Sequence, residues 1–372
     1  MDRRGALRRL TFMGALSLPA WGWTGRALAV PPTFPAVRPR PLRFPADHGA
    51  HPDFRTEWWY ATGWLDANGE EIGFQTTFFR SRSGHDADNP SRFAPHQLLF
   101  AHAALARPAA GGLRHEQRAA RVVAGDAAVG FATDDTDLHL HGWAFRRDAD
   151  GSYRARIEAD AVKLELALAP TQTILLQGEA GFSRKGADPE QASYYYSQPQ
   201  LAVSGRIRLE GLGERWQTVS GRAWLDHEWS SRVLDRDAVG WDWIGINLDD
   251  GGALMAFRIR GGDGTTRWAA ARWRDARGRE RNFAGNEVRF TPLAQWRSPR
   301  TGANYPVRQR LSLGGVEPGH FELVPLMDDQ ELDSRASTGA VYWEGAVTLQ
   351  RDGRRIGRGY LELVGYHRPM AL

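Results

Sequence analysis

The sequence predicts an all-β protein whose short antiparallel strands form sandwiches or barrels. Three observations carry this. Glu57–Leu65 and Glu71–Arg80 flank Asp66-Ala67-Asn68-Gly69, a hairpin with Asn-Gly turn chemistry. Strict apolar/polar alternation marks Val162–Leu168 and Leu201–Leu209 as half-buried strands. Asp/Gly turns recur at Asp148–Gly151, Asp249–Gly251, Gly262–Gly264 and Asp352-Gly353, each between β-compatible runs. Helical periodicity is absent. Closing such strands into barrels removes exposed edges and can enclose an apolar ligand.

The elements follow in order. Residues 1–29 read as a signal peptide: Arg3, Arg4, Arg8 and Arg9, an apolar run from Phe12 to Trp23, then Ala27-Leu28-Ala29 as a cleavage site. Arg8-Arg9 before Leu10-Thr11-Phe12 resembles a twin-arginine (Tat) signal, with Thr11 where a hydrophobic residue is usual; Sec export stays open. The expected location is therefore periplasmic or secreted, in a bacterium. Residues 30–43, with Pro31, Pro32, Pro35, Pro39 and Pro41, form an extended lead-in. The first domain is expected over 44–232 and the second over 233–372, with the boundary near Ser231–Asp237. Ser81–Pro95 is a long irregular loop suited to a lid or mouth, and Gly178–Gln191 is another.

Composition narrows the function. The 372 residues are 42% hydrophobic and 25% charged, ordinary for a globular chain. Without residues 1–29 the chain loses five arginines and Asp2, which leaves equal numbers of basic and acidic groups. A neutral chain offers no electrostatic footprint for nucleic acid. No stretch of the mature chain is long and apolar enough to span a bilayer. Cysteine is absent, excluding disulfides and thiolate chemistry, and two lysines, Lys163 and Lys185, stand against 46 arginines.

Fifteen tryptophans are present, and the chemistry gathers among them. Ala223-Trp224-Leu225-Asp226-His227-Glu228-Trp229 sets three consecutive titratable groups between tryptophans, and Gly240-Trp241-Asp242-Trp243 follows. Acids buried among indoles need partners, and burial moves their pKa values as catalysis requires. Strand parity puts His227 with Trp229 on one face and Asp226 with Glu228 on the other. Glu57 and Trp59 share a face opposite Trp58, Tyr60 and Trp64, and Tyr360 shares one with Glu362. The expected division has His227 facing the ligand cavity while Asp226 and Glu228 tie the two halves together. A structural hydrogen-bond network is an equal reading of Asp226-His227-Glu228, and a core role is favoured for Trp241-Asp242-Trp243, with an arginine partner for Asp242. Asp47, His48, His51 and Asp53, or His139-x-His141, could ligate a metal, but neither has zinc-site spacing, so no metal and no cofactor are expected. Nucleophile-elbow, P-loop, zincin and dinucleotide motifs are missing.

Phe-Pro-x-Asp-His-Gly at 44–49, Arg-x-Glu-Trp-Trp-Tyr at 55–60, Asp-His-Glu-Trp at 226–229, Gly-Trp-Asp-Trp at 240–243 and Gly-Arg-Gly-Tyr-x-Glu-Leu at 357–363 resemble the secreted AttH-like proteins related to carotenoid 1,2-hydratase. The resemblance implies two tandem lipocalin-like antiparallel β-barrel domains. It also implies a hydrophobic, isoprenoid-like ligand and an ABC-transporter permease as partner. In the hydratases an acid protonates a C=C bond and water captures the cation, and this chain is similar to them at His227-x-Trp229. It departs from them at Asp249–Phe257, where Leu254-Met255-Ala256 stands instead of a Tyr-x-Asp.

Two functions follow as expectations. The first is alkene hydration or cyclisation with Asp226, His227 or Glu228 as proton donor. Trp229, Trp241, Asp242, Trp243, Glu57, Trp58, Trp59, Tyr60 and Tyr360 would line the ligand site. The second is a carrier of lipophilic ligand without chemistry. A third reading, a glycosidase dyad on a tryptophan platform, requires an open groove.

Overall fold

A computed structural model describes residues 33–370 apart from 86–88, 90, 92, 210–214 and 317–319. The signal-peptide reading of residues 1–29 and part of the Ser81–Pro95 loop lie outside the described residues. Among those described, the chain is antiparallel β-sheet with three short 3-10 turns.

Two tandem lipocalin-like β-barrels make up the architecture. A 13-stranded sheet extends through strand Gln217–Arg232, and a 10-stranded sheet begins with Ala238–Leu248. Each barrel is joined in the same way, its first long strand pairing with its last. In the first, Thr56–Ala67 pairs with Gln217–Arg232, placing Trp59 opposite His227 and Tyr60 opposite Asp226. In the second, Ala238–Leu248 pairs with Arg354–Leu363, placing Trp243 opposite Glu362. From the edge strand Gly112–Val122 of the first sheet, Arg118 reaches across to the far side of that sheet and donates to the carbonyls of His141 and Glu158. The hairpin at Asn68-Gly69 forms as expected, with both residues at positive φ.

The joining strands carry apolar side chains on both faces, because a barrel lies on one side and the neighbouring barrel on the other. Trp59, Ala61 and Leu65 enter the first barrel's core with Leu225 and Ala223. Tyr60, Trp64 and Trp224 pack outward against Trp243, Phe257 and Tyr360 of the second barrel. Ile244, Ile246, Leu361 and Leu363 fill the second barrel. Cross-barrel hydrogen bonds fix the pairing: Trp64 Nε1 donates to the Gly359 carbonyl (3.0 Å) and Asn247 Nδ2 to the Ala223 carbonyl (3.0 Å).

The lead-in is held to the first barrel. Val37 is buried, and Tyr194 Oη donates to the Arg38 carbonyl at 2.6 Å. His48 Nδ1 lies 2.7 Å from Tyr196 Oη, and Thr136 Oγ1 donates to the His48 carbonyl.

Candidate functional site between the barrels

Where the joining strands face one another, the packing leaves a cavity of about 420 Å³. Trp58, Tyr60, Phe79 and Phe100 contribute its first-barrel wall, and Trp241, Trp243, Phe257, Ile259 and Tyr342 its second. Asp226, Glu228, Lys185 and Glu362 are among the ionisable groups lining this largely aromatic space, with Arg55, Glu57, Arg80 and His102 also on its wall.

Strand parity divides the Asp226-His227-Glu228 motif as expected, but the cavity lies on the opposite side from the one expected. The barrel interior beneath His227 is filled, and the space is at the junction. His227 is fully buried, stacked on Trp59 with ring centroids 4.5 Å apart. Its Nε2 donates to Glu57 Oε1 at 2.9 Å, while Nδ1 lies 3.1 Å from Tyr196 Oη. Burial pushes His227 down to about 4, against the pull of Glu57, so its imidazole is neutral near pH 7. Trp229 lies on the same side, stacked on His51 at 3.7 Å.

Glu57 is the hub of that inner network. It accepts from Arg80 Nε (2.8 Å), the His51 backbone N–H (2.8 Å) and His51 Nδ1 (2.7 Å). Burial alone would raise its pKa; the Arg80 guanidinium and His51 overcome that and hold it well below the usual carboxylate range. His51, between Glu57 and Asp47, is raised by both carboxylates against the effect of its burial. Ligating atoms of His51, Glu57 and His227 lie within 4.8 Å of one another, a spacing a metal ion could use. The Arg80 guanidinium already supplies the positive charge Glu57 needs, so the donor set fits a hydrogen-bonded ion network better than a metal site.

Asp226 and Glu228 face the cavity. Three donors meet the Asp226 carboxyl: Tyr195 Oη (2.5 Å), Ser197 Oγ (2.5 Å) and Trp224 Nε1 (2.6 Å). Burial outweighs them, and the group is pushed up to about 7. Tyr195 Oη in turn accepts from Trp243 Nε1 (2.9 Å), tying the acid to the second barrel. Glu228 pairs with Lys185 Nζ at 2.7 Å and accepts from Ser193 Oγ. On the facing wall Glu362, held by Trp241 Nε1 at 3.0 Å, is also pushed up by burial to about 7. Behind Tyr60 and Tyr342 the Glu344 carboxyl is raised well above its ordinary range by burial and by Glu362.

The remaining expected ligand contacts divide. Trp58, Tyr60, Trp241 and Trp243 line the cavity, while Tyr360 is buried in the aromatic cluster behind it. Trp59 belongs to the first barrel's core. Asp242 points into the second barrel, accepting from Arg258 Nε (2.8 Å), Arg260 Nε (2.9 Å) and Tyr366 Oη (2.9 Å). It has the arginine partner expected for a core role. Glu57 reaches the edge of the cavity lining, but its oxygens are committed to the inner network. Sequence reasoning missed Lys185, His102 and Arg80. For Lys185 there was a signal, its rarity in a chain of arginines; for His102, within Leu99-Phe100-Ala101-His102-Ala103, there was none.

The AttH-like family model matches residues 35–366. The chain belongs to the AttH-like family. It is 54% identical to the AttH homologue of Nitrosomonas europaea, with a TM-score of 0.83 over 90% of this chain and 99% of that one. Kievitone hydratase from Nectria haematococca shares the fold at 14% identity, with a TM-score of 0.65 over 87% of this chain and 93% of that one. No curated protein sequence matches the chain. In this AttH-like chain the motifs that carry the resemblance fall on the joining strands or just ahead of them, and those strands build the cavity walls.

Proposed function

We propose that this AttH-like protein is a hydratase-type acid–base enzyme acting on a lipophilic alkene held between its two barrels. One observation carries the reading: a buried carboxyl, Asp226, lines a cavity walled by tryptophan, tyrosine and phenylalanine, and that burial favours its protonated form. An acid in apolar surroundings keeps the proton it must donate. Aromatic faces stabilise a passing cation electrostatically.

In this reading Asp226 transfers its proton to one alkene carbon, and the cation forms on the more substituted carbon beside the indoles. Water adds to the cation, and its surplus proton returns to the Asp226 carboxylate. The net change is addition of one water, without redox chemistry. His227 then serves the fold through Glu57, so a loss of activity in His227→Ala would report a disturbed barrel.

The test is incubation with isoprenoid and phenolic alkenes in ¹⁸O-labelled water, followed by mass spectrometry. Asp226→Asn is shaped like the protonated acid but cannot donate its proton, and should lower kcat by about 10²–10⁴-fold. Tryptophan quenching by substrate should persist in that variant. Quenching without label incorporation in the wild-type protein would instead establish the carrier reading.

A further inference from the structure

We propose that Lys185 is a covalent capture site in the junction cavity, forming an imine with a lipophilic aldehyde, and that Glu228 is the counter-ion of the protonated imine. The proposal rests on the reading of the cavity as a ligand site.

Lys185 directly follows the short strand Phe182–Arg184, which lies inside the Gly178–Gln191 stretch expected to be an irregular loop and pairs with Ala192–Tyr194, and its side chain lines the junction cavity. Its backbone N–H donates to the Gln191 carbonyl at 2.7 Å. The ammonium group is almost fully buried, 2.7 Å from Glu228 Oε1 and 3.1 Å from Ser183 Oγ. Two aromatic rings flank it: Tyr195 from the first barrel with its centroid at 4.7 Å, and Phe257 from the second at 4.3 Å. Lys185, Glu228 and Phe257 all line the cavity.

Residue choice sharpens the point. A chain with 46 arginines and two lysines uses arginine elsewhere for its buried ion pairs, at Arg80–Glu57 and at Arg258 and Arg260 with Asp242. Charge alone would be served by the same choice here, since guanidinium tolerates burial and stacks on rings. A primary amine can lose its proton and act as a nucleophile, which guanidinium does not.

The step balances. The ammonium gives a proton to Glu228, and the free amine adds to the carbonyl carbon. The carbinolamine then takes that proton back as it expels water, leaving a C=N–H⁺ linkage beside the Glu228 carboxylate. Aldehyde and ammonium become protonated imine and water, with no oxidant or reductant. The aromatic box stabilises this cation as it does the ammonium.

Citral and farnesal, each with sodium cyanoborohydride as trap, test the inference on the full mature chain by peptide mapping. A trapped imine adds the mass of the aldehyde less one oxygen atom. Labelling of Lys185 should exceed that of part-exposed Lys163 by roughly tenfold or more, the effect of holding amine and carbonyl together. Lys185→Arg should remove the cavity adduct, and Lys163→Arg should leave it unchanged. Glu228→Gln should cut the yield about tenfold through loss of the buried counter-ion. Equal labelling of Lys163 and the α-amino group, or labelling unaffected by Lys185→Arg, overturns the proposal. Tryptophan quenching by both aldehydes without any adduct overturns the imine and leaves the cavity reading intact. Neither quenching nor adduct overturns both.

Discussion

Asp226 holds opposing forces in one carboxyl. Three donors within 2.6 Å favour the ionised form, and complete burial favours the neutral one. Burial wins, so the folded chain keeps a proton that the unfolded chain, with an ordinary aspartate near 3.8, releases. The native state therefore binds more protons between about pH 4 and pH 7, and this group's contribution to stability falls as pH rises through that window. Asp226→Asn should remove that slope, read as the difference between wild-type and variant urea stabilities across the window. Infrared difference spectra should show a carboxylic-acid band, absent from the variant, that titrates near pH 7. Tyr195→Phe takes away one donor to the carboxylate, so the same band should persist to higher pH, and the alkaline limb of any pH–activity profile should move with it. A midpoint that fell or stayed fixed would mean that the phenol does not hold the charged form.

At the scale of the strand, Gln217–Arg232 shows what the sequence made legible and what it did not. Alternation separates His227 and Trp229 from Asp226 and Glu228 because side chains leave a strand in opposite directions. It does not say which face borders empty space, since this strand is buried on both: one side meets a filled barrel, the other meets a second barrel across a gap. The turn chemistry at Asn68-Gly69 and the arginine partnership of Asp242 were readable because both obey local rules. His102 was not, because it reaches the cavity only through the packing of two sheets, and the rarity of Lys185 marked the residue without placing it there. The row Arg80–Glu57–Trp229 runs across three adjacent strands and makes the inner network a structural tie. Glu57→Gln leaves Arg80 buried without its carboxylate, and should cost about 3–5 kcal/mol in urea unfolding. The folded pKa of Glu57 is depressed, so its contribution is present above the ordinary glutamate value of 4.5 and lost as pH falls below it. The Gln variant should therefore show a flatter loss of stability in acid than the wild type.

At the scale of the molecule the cavity is lined by both barrels, so in the proposed reading they are the halves of one site and ligand binding depends on how closely they approach. Gly73 tests this. It sits beside Trp64 in the first hairpin, on the outward face, where an added Cβ would fall 2.6 Å from the Ala346 Cβ and 2.8 Å from Tyr360 Oη of the second barrel. Neither contact is relieved cheaply, because Ala346 and Tyr360 are themselves fully buried. Gly73→Leu therefore acts as a wedge between barrels whose own cores it does not enter. The overpacking cost is about 1–3 kcal/mol, small enough for each barrel to remain folded. What should suffer is the facing geometry: Tyr195 Oη to Trp243 Nε1 across the junction, and with it the closure of the cavity around Asp226. The expected result is retained β-sheet circular dichroism with lost or weakened ligand-dependent tryptophan quenching. Thermal unfolding should also split toward two transitions as the barrels uncouple. If quenching and a single transition both survive the wedge, the cavity does not depend on the approach of the barrels, and each barrel would have to be examined as a ligand site of its own.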